Sequence, residues 1–237
     1  MTEALAGRRI VLTGCSRGVG LEAARLFLAE GAEILGLARD PERLATVHAE
    51  LQAAHGARFD SLVVDVASAD AAEQIGATVE ARWGALDVAI HNAAVMLCHE
   101  PEISSEPEGL LERSLDINLL APFRLTRALI PLLERGEDPQ ILNVSSGAGT
   151  HEGMVEPGIA SYRLSKWALN GLTMLQAKEL AGRVVVNAFD PGWVRTDLGG
   201  PNAPGTPDES ARAMLETLLL PREVHGQLIK DGEVIPW

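Results

Sequence analysis

The chain of 237 residues carries 33 acidic against 20 basic side chains, a net charge of −13 that repels phosphodiester backbones and argues against a nucleic-acid partner. Two cysteines, Cys15 and Cys98, are too few for a disulfide framework and fit a reducing, cytoplasmic compartment. Apolar runs such as 128–133 are far shorter than the ~20 residues that cross a bilayer, and residues 1–7 lack the pattern of an export signal, so neither a membrane span nor secretion is expected.

The first predicted strand, 9–13, runs into Thr13-Gly14-Cys15-Ser16-Arg17-Gly18-Val19-Gly20, and a helix follows over 21–30. Glycines at such a turn allow a tight bend and let backbone N–H groups approach a pyrophosphate at the positive end of a helix dipole. The second strand, 33–38, ends at Ala38, where a carboxylate would select a ribose 2′-hydroxyl; the next residue is instead Arg39. With Arg17 it forms a two-sided clamp for a 2′-phosphate, which favours NADP(H) over NAD(H). Competing readings at this turn make Arg39 a solvated side chain, or Asp40 the partner of a ribose hydroxyl.

After a helix over 41–54, strand 59–65 ends at Asp65-Val66, which contact an adenine ring unless Asp65 caps the next helix. A helix over 69–83 leads to strand 86–91, and a helical stretch over 110–133, whole or divided, leads to strand 140–145 and Ser146. The helix over 160–180 opens with Tyr162-Arg163-Leu164-Ser165-Lys166. Strand 184–189 follows, then the glycine- and proline-rich loop 199–207, read as a lid over a substrate, a helix over 208–219 and strand 227–230. Seven strands joined by helical crossovers must run parallel with helices on both faces, which predicts a doubly wound, Rossmann-type α/β fold in one domain, 1–237. Ligands of such sheets sit beyond the carboxyl ends of the strands, where these motifs fall.

Tyr162 and Lys166 are four apart and project from one helix face. A phenol with an ordinary pKa near ~10 is a poor acid or base at neutral pH, and an adjacent ammonium favours its phenolate. The hydroxyl of Ser146 would hydrogen-bond a substrate oxygen and stabilise its developing negative charge. A solvated helix face would also show this Tyr/Lys spacing; the glycine loop at the same end of the sheet favours the catalytic reading. The histidines lie at no ligand spacing, so no metal site is expected. Trp193 and Met154 flank the cleft but are read as core.

Along essentially its whole length the chain resembles the short-chain dehydrogenase/reductase family. The matching residues are Thr13-Gly14 with Gly18 and Gly20, Asp65-Val66, His91-Asn92-Ala93-Ala94, Asn118, Ser146, Tyr162 with Lys166, and Asp190-Pro191-Gly192 followed by Thr196. The pattern Tyr162 to Asn170, the segment Pro191 to Asp197 with Gly199 to Ala203, and the ending Asp231-Gly232 to Pro236-Trp237 are similar to sniffer-like carbonyl reductases and C-factor proteins. The resemblance implies Ser146, Tyr162 and Lys166 as the catalytic trio, with Asn118 holding a water of a proton relay and Lys166 also bonding the nicotinamide ribose. It further implies that Asn92 and Ala93 line the cofactor cleft and that Pro191, Gly192, Val194 and Thr196 receive the carboxamide. Two departures, His91 and Ala94 in the usual Asn-Asn-Ala-Gly and Leu164 in the usual Tyr-x-Ala-Ser-Lys, lie outside the reacting groups.

The resulting expectation is an NADP(H)-dependent enzyme that reduces a ketone or aldehyde, or oxidises the alcohol, of a small-molecule substrate. Family resemblance adds a homodimer or homotetramer built through the helices over 110–133 and 160–180. Two other readings are a non-catalytic NADP(H)-binding regulatory protein, against which Ser146, Tyr162, Lys166 and Asn118 argue, and a nucleotide-sugar epimerase, which needs a larger region after Pro191.

Overall fold

The computed structural model describes residues 3–99 and 102–237. Strands β1 (Arg9–Thr13), β2 (Glu33–Ala38), β3 (Phe59–Val63), β4 (Val88–His91), β5 (Gln140–Val144), β6 (Val185–Phe189), β7 (Leu228–Lys230) and β8 (Glu233–Ile235) form one sheet in the order β3-β2-β1-β4-β5-β6-β7-β8. The pairings from β3 through β7 are parallel and only β7–β8 is antiparallel.

Alternation along the strands makes the sheet two-sided. In β1, Ile10 and Leu12 enter one core with α1 (Gly18–Ala29), α2 (Pro41–His55) and α7 (Pro207–Leu218), while Val11 enters another with α3 (Ala71–Arg82), α5 (Ala121–Leu133) and α6 (Ala160–Leu180). Helices therefore cover both faces, and the sequence of strands reverses between β1 and β4. That reversal opens the crevice at their carboxyl ends where doubly wound folds bind ligands. Among the described residues, no helix is long and apolar enough to cross a membrane.

Two features add to the sequence expectation, which left the stretch over 110–133 whole or divided and counted about seven strands. The stretch over 110–133 is divided into α4 (Leu110–Leu115) and α5 by a π-helical turn, Asp116–Leu120, which carries the buried Asn118. An eighth strand follows β7 through Asp231 and Gly232, both at positive φ (50° and 77°), the conformation a two-residue hairpin needs and Asp-Gly readily adopts.

Candidate active site

The crevice is a cleft of about 660 Å³ lined by residues from the ends of β1, β2, β4, β5 and β6 and by the first turns of α1 and α6. At its phosphate end Gly14 and Gly18 adopt positive φ (71° and 56°), turning the chain from β1 into α1, which starts with no side-chain cap on its N–H groups. Gly20 has no room for a side chain: a Cβ there would lie 2.2 Å from the Gly14 carbonyl oxygen and 2.5 Å from Asn92 Nδ2. Asn92 braces this turn, Nδ2 donating to the Thr13 and Gly14 carbonyls at 2.8 and 3.2 Å, while the Asn92 and Ala93 N–H groups donate to Thr13 Oγ1. Ser16, Arg17 and Val19 line the cleft with the three glycines.

At the adenosine end Arg39 is exposed, lines the cleft and makes no hydrogen bond or ion pair with the described residues, so its guanidinium is available to a ligand. Arg17 is held by Asp197, which also lies 3.4 Å from Arg43. Sequence reading missed that third arginine and its tether because the contact joins residues 154 positions apart. The Asp40 carboxylate accepts the Glu42 and Arg43 N–H groups through Oδ1 as the cap of α2. Asp65 and Val66 line the cleft, but Asp65 is not the cap of the following helix: its Oδ1 accepts the Ala67 N–H, and α3 begins only after Asp70.

At the reacting end the turn Gly147–Gly149 packs directly on the backbone of α6; a Cβ on Gly149 would come within 2.6 Å of the Lys166 carbonyl carbon. That contact sets Ser146 in the cleft with Tyr162, close enough for its hydroxyl to favour the phenolate. Lys166 lies one turn along α6, its Nζ 5.7 Å from the centroid of the Tyr162 ring and 2.7 Å from the Val144 carbonyl oxygen, to which it donates. Tyr162 and Lys166 are 8% and 2% exposed. Burial pushes the phenol up to about 12 and the amine down to about 7. Among the protein's own groups the phenol is therefore raised by its burial, opposite to the lowering expected from the adjacent ammonium.

Asn118 reaches this end too. Its Oδ1 accepts the Val95 N–H and its Nδ2 donates to the Val95 carbonyl and Ser165 Oγ, each at 2.9 Å, so its side chain clamps the irregular segment after β4 to α6 and makes no bond to Lys166. Pro191, Gly192, Val194 and Thr196 line the opposite wall. Trp193 is a correction: it is 61% exposed on the cleft rim, not core, its Nε1 tied to the Gly199 carbonyl at 2.7 Å. Of the glycine–proline loop only Gly199 lines the cleft; Gly205 is bridged to Trp193 and Arg195, and Arg195 bonds the Ala203 and Pro204 carbonyls, which ties the loop to the segment after β6. Sequence reading also missed Glu106, which accepts the Ser161 N–H (3.2 Å) and hydroxyl and so caps the first turn of α6 from a distant segment. Among the described residues no cluster of His, Cys, Asp or Glu is arranged to hold a metal ion.

A Rossmann-type sheet with a glycine loop at one end of the cleft and a Ser/Tyr/Lys group at the other defines a dinucleotide-dependent oxidoreductase architecture. Residues 8–206 match the short chain dehydrogenase family, and the chain belongs to it. A short chain dehydrogenase of Pseudocercospora fijiensis is 32% identical over 201 residues, which span 84% of this chain and 63% of that protein. The NADPH-bound carbonyl reductase from chicken fatty liver superimposes with a TM-score of 0.89 at 28% identity over 98% of this chain and all of that one. Carbonyl reductase Sniffer of Drosophila melanogaster gives 0.88 at 25% identity, with 98% and 100% covered, in keeping with a sniffer-like branch.

Proposed function

We propose that the protein is an NADP(H)-dependent carbonyl reductase that moves a hydride between the nicotinamide and the carbon of a ketone, aldehyde or secondary alcohol, with Tyr162 as proton donor or acceptor. The observation that carries this reading is the convergence of Tyr162, Ser146 and Lys166 at one end of a cleft whose other end holds the glycine loop and an unpartnered Arg39. The residues fit the cofactor on structural grounds: α1 has no side-chain cap of its own and a Cβ at Gly20 would fill the phosphate cradle. The chicken and Drosophila relatives support the same activity.

When bound, NADP(H) supplies or accepts the hydride. Gly14, Ser16, Gly18, Val19 and Gly20 would hold its pyrophosphate, Arg39 and Arg17 its 2′-phosphate, Asp65, Val66, Asn92 and Ala93 its adenosine side and cleft floor, and Pro191, Gly192, Val194 and Thr196 its carboxamide. Ser146 would fix the substrate oxygen, Tyr162 would give it a proton, and Lys166 would hydrogen-bond the nicotinamide ribose. Asn118, whose side chain bonds Val95 and Ser165, would hold a water of a proton relay behind Lys166.

Apolar side chains left exposed on α4, α5 and α6, among them Leu111, Phe123, Trp167 and Leu175, support a homodimer or homotetramer through these helices. NADPH consumption against a panel of ketones, quinones and dicarbonyls tests the activity. Turnover by wild type, with kcat/KM lowered roughly 10²–10⁴-fold in Tyr162→Phe while NADPH still binds, is expected. Cofactor binding without turnover on any substrate would favour the regulatory reading.

A further inference from the structure

The turn that carries Ser146 is tied to α6 by a side chain that the mechanism above leaves unused. Asn170 follows Lys166 by one helical turn and Tyr162 by two, and all three lie on the buried side of α6. Its amide, on a residue only 3% exposed, meets the turn at both ends. Oδ1 accepts the hydroxyl of Ser145, the residue before Ser146, and Nδ2 donates to the Gly149 carbonyl at 2.8 Å. Ser145 is buried as well, and its N–H bonds the Phe189 carbonyl at 2.7 Å, which prolongs the pairing of β5 with β6.

Other bonds give the turn its shape but not its place. Ser146 Oγ accepts the Ala148 N–H at 3.1 Å, and the Ser146 carbonyl accepts the Gly149 N–H at 2.9 Å, both inside the turn. The close packing of Gly149 on the Lys166 backbone sets how near the turn comes to α6. Packing has no direction along the helix axis, whereas two hydrogen bonds to one amide do. The position calls for a group that accepts and donates at once. Aspartate would accept from Ser145 but could not donate to Gly149, and it would bury a charge; alanine would leave both partners unpaired.

We propose that Asn170 is a positioning residue: by clamping both ends of the turn 145–149 to α6, it holds the Ser146 hydroxyl in register with Tyr162 and Lys166. The proposal rests on the reading of Ser146 and Tyr162 as the groups that share the substrate oxygen. β5 brings one of them and α6 the other, so their separation depends on how strand end and helix are joined. A slip of about 1 Å between groups that must meet one oxygen costs on the order of a hundredfold in rate.

Tyr162 is the sole tyrosine of the chain, so the ring-carbon NMR signal of labelled tyrosine reads the hydroxyl near its phenol without any turnover. In Asn170→Ala this signal is expected to move in the same direction as in Ser146→Ala. With a carbonyl substrate, kcat should fall about 10- to 100-fold in Asn170→Ala, but by no more than about threefold when the substitution is made in Ser146→Ala, where no serine hydroxyl is left to position. Ser145→Ala, which removes one bond of the clamp, should show both effects in smaller measure and decides the matter if Asn170→Ala fails to fold. A tyrosine signal that stays at its wild-type position, or a kcat loss equally large with and without the Ser146 hydroxyl, overturns the proposal. The signal does not depend on activity. If it moves as expected in a protein that reduces no carbonyl compound, the function reading fails and the clamp stands; if wild type turns over and Asn170→Ala matches it in signal and kcat, the clamp alone fails.

Discussion

Lys166 holds its ammonium nitrogen 5.7 Å from the centre of the Tyr162 ring while bonded to the Val144 carbonyl, and both side chains are buried. Each resists taking charge: the phenol stays protonated up to about 12 and the amine loses its proton near 7. Below about 12 Tyr162 is therefore in the form that gives a proton to a carbonyl oxygen and not the form that removes one from an alcohol. Oxidation should climb about tenfold per pH unit on the alkaline side as the phenolate fraction grows, and reduction should not. Profiles of kcat/KM in the two directions check this; an oxidation rate flat with pH would count against it.

The burial of Lys166 also predicts a trade between function and stability. Its folded pKa of about 7 lies below the unfolded value of 10.5, so between those values the unfolded chain binds the extra proton and stability rises with pH. The penalty is complete below about 7 and fades toward 10.5. Lys166→Met should abolish turnover yet raise Tm, with a larger gain near about pH 6 than near about pH 9. Calorimetry at the two pH values decides it, and a gain that is equal or reversed would contradict the assignment.

Arg39 is the cleft-lining arginine at the adenosine end that no described carboxylate holds, whereas Arg17 is shared with Asp197. Arg39→Asp should reduce the preference for NADPH over NADH, as the ratio of kcat/KM values, roughly ten- to a hundredfold. A ratio unchanged from wild type would remove Arg39 from the 2′-phosphate site.

The phosphate turn tolerates no side chain at Gly20, where backbone and not a flexible group fills the space 2.2 Å away. Gly20→Ala should cost roughly 1–3 kcal/mol of stability by forcing the turn apart. It should also weaken NADPH binding measured by fluorescence titration; a variant with wild-type affinity and Tm would show that the turn is looser than described.

Much of this was legible in the chain. Residues 9–13, 33–38 and 160–180 match β1, β2 and α6 because buried parallel strands and an amphipathic helix leave clear periodic patterns, and the glycine loop, Ser146, Tyr162 and Lys166 announced the two ends of the cleft. What escaped depends on distant segments meeting. Glu106 caps α6 across 55 positions, Arg43 meets Asp197 across 154, and Asn170 reaches Ser145 across 25. The direction of the Tyr162 shift escaped too, since a four-residue spacing announces the ammonium but not how dry its surroundings are. β8 was within reach, because Asp231-Gly232 is a hairpin turn in its own right.

The central claim is that the Tyr162 hydroxyl delivers the proton at the carbon–oxygen bond being reduced. A crystal structure of the complex with NADP⁺ and a carbonyl compound tests it most directly. We expect the phenol oxygen within about 3 Å of the carbonyl oxygen, with Ser146 Oγ at similar range and the carbonyl carbon over the nicotinamide ring. A ternary complex with the phenol turned out of the cleft, beyond the reach of one bridging water, would contradict the account.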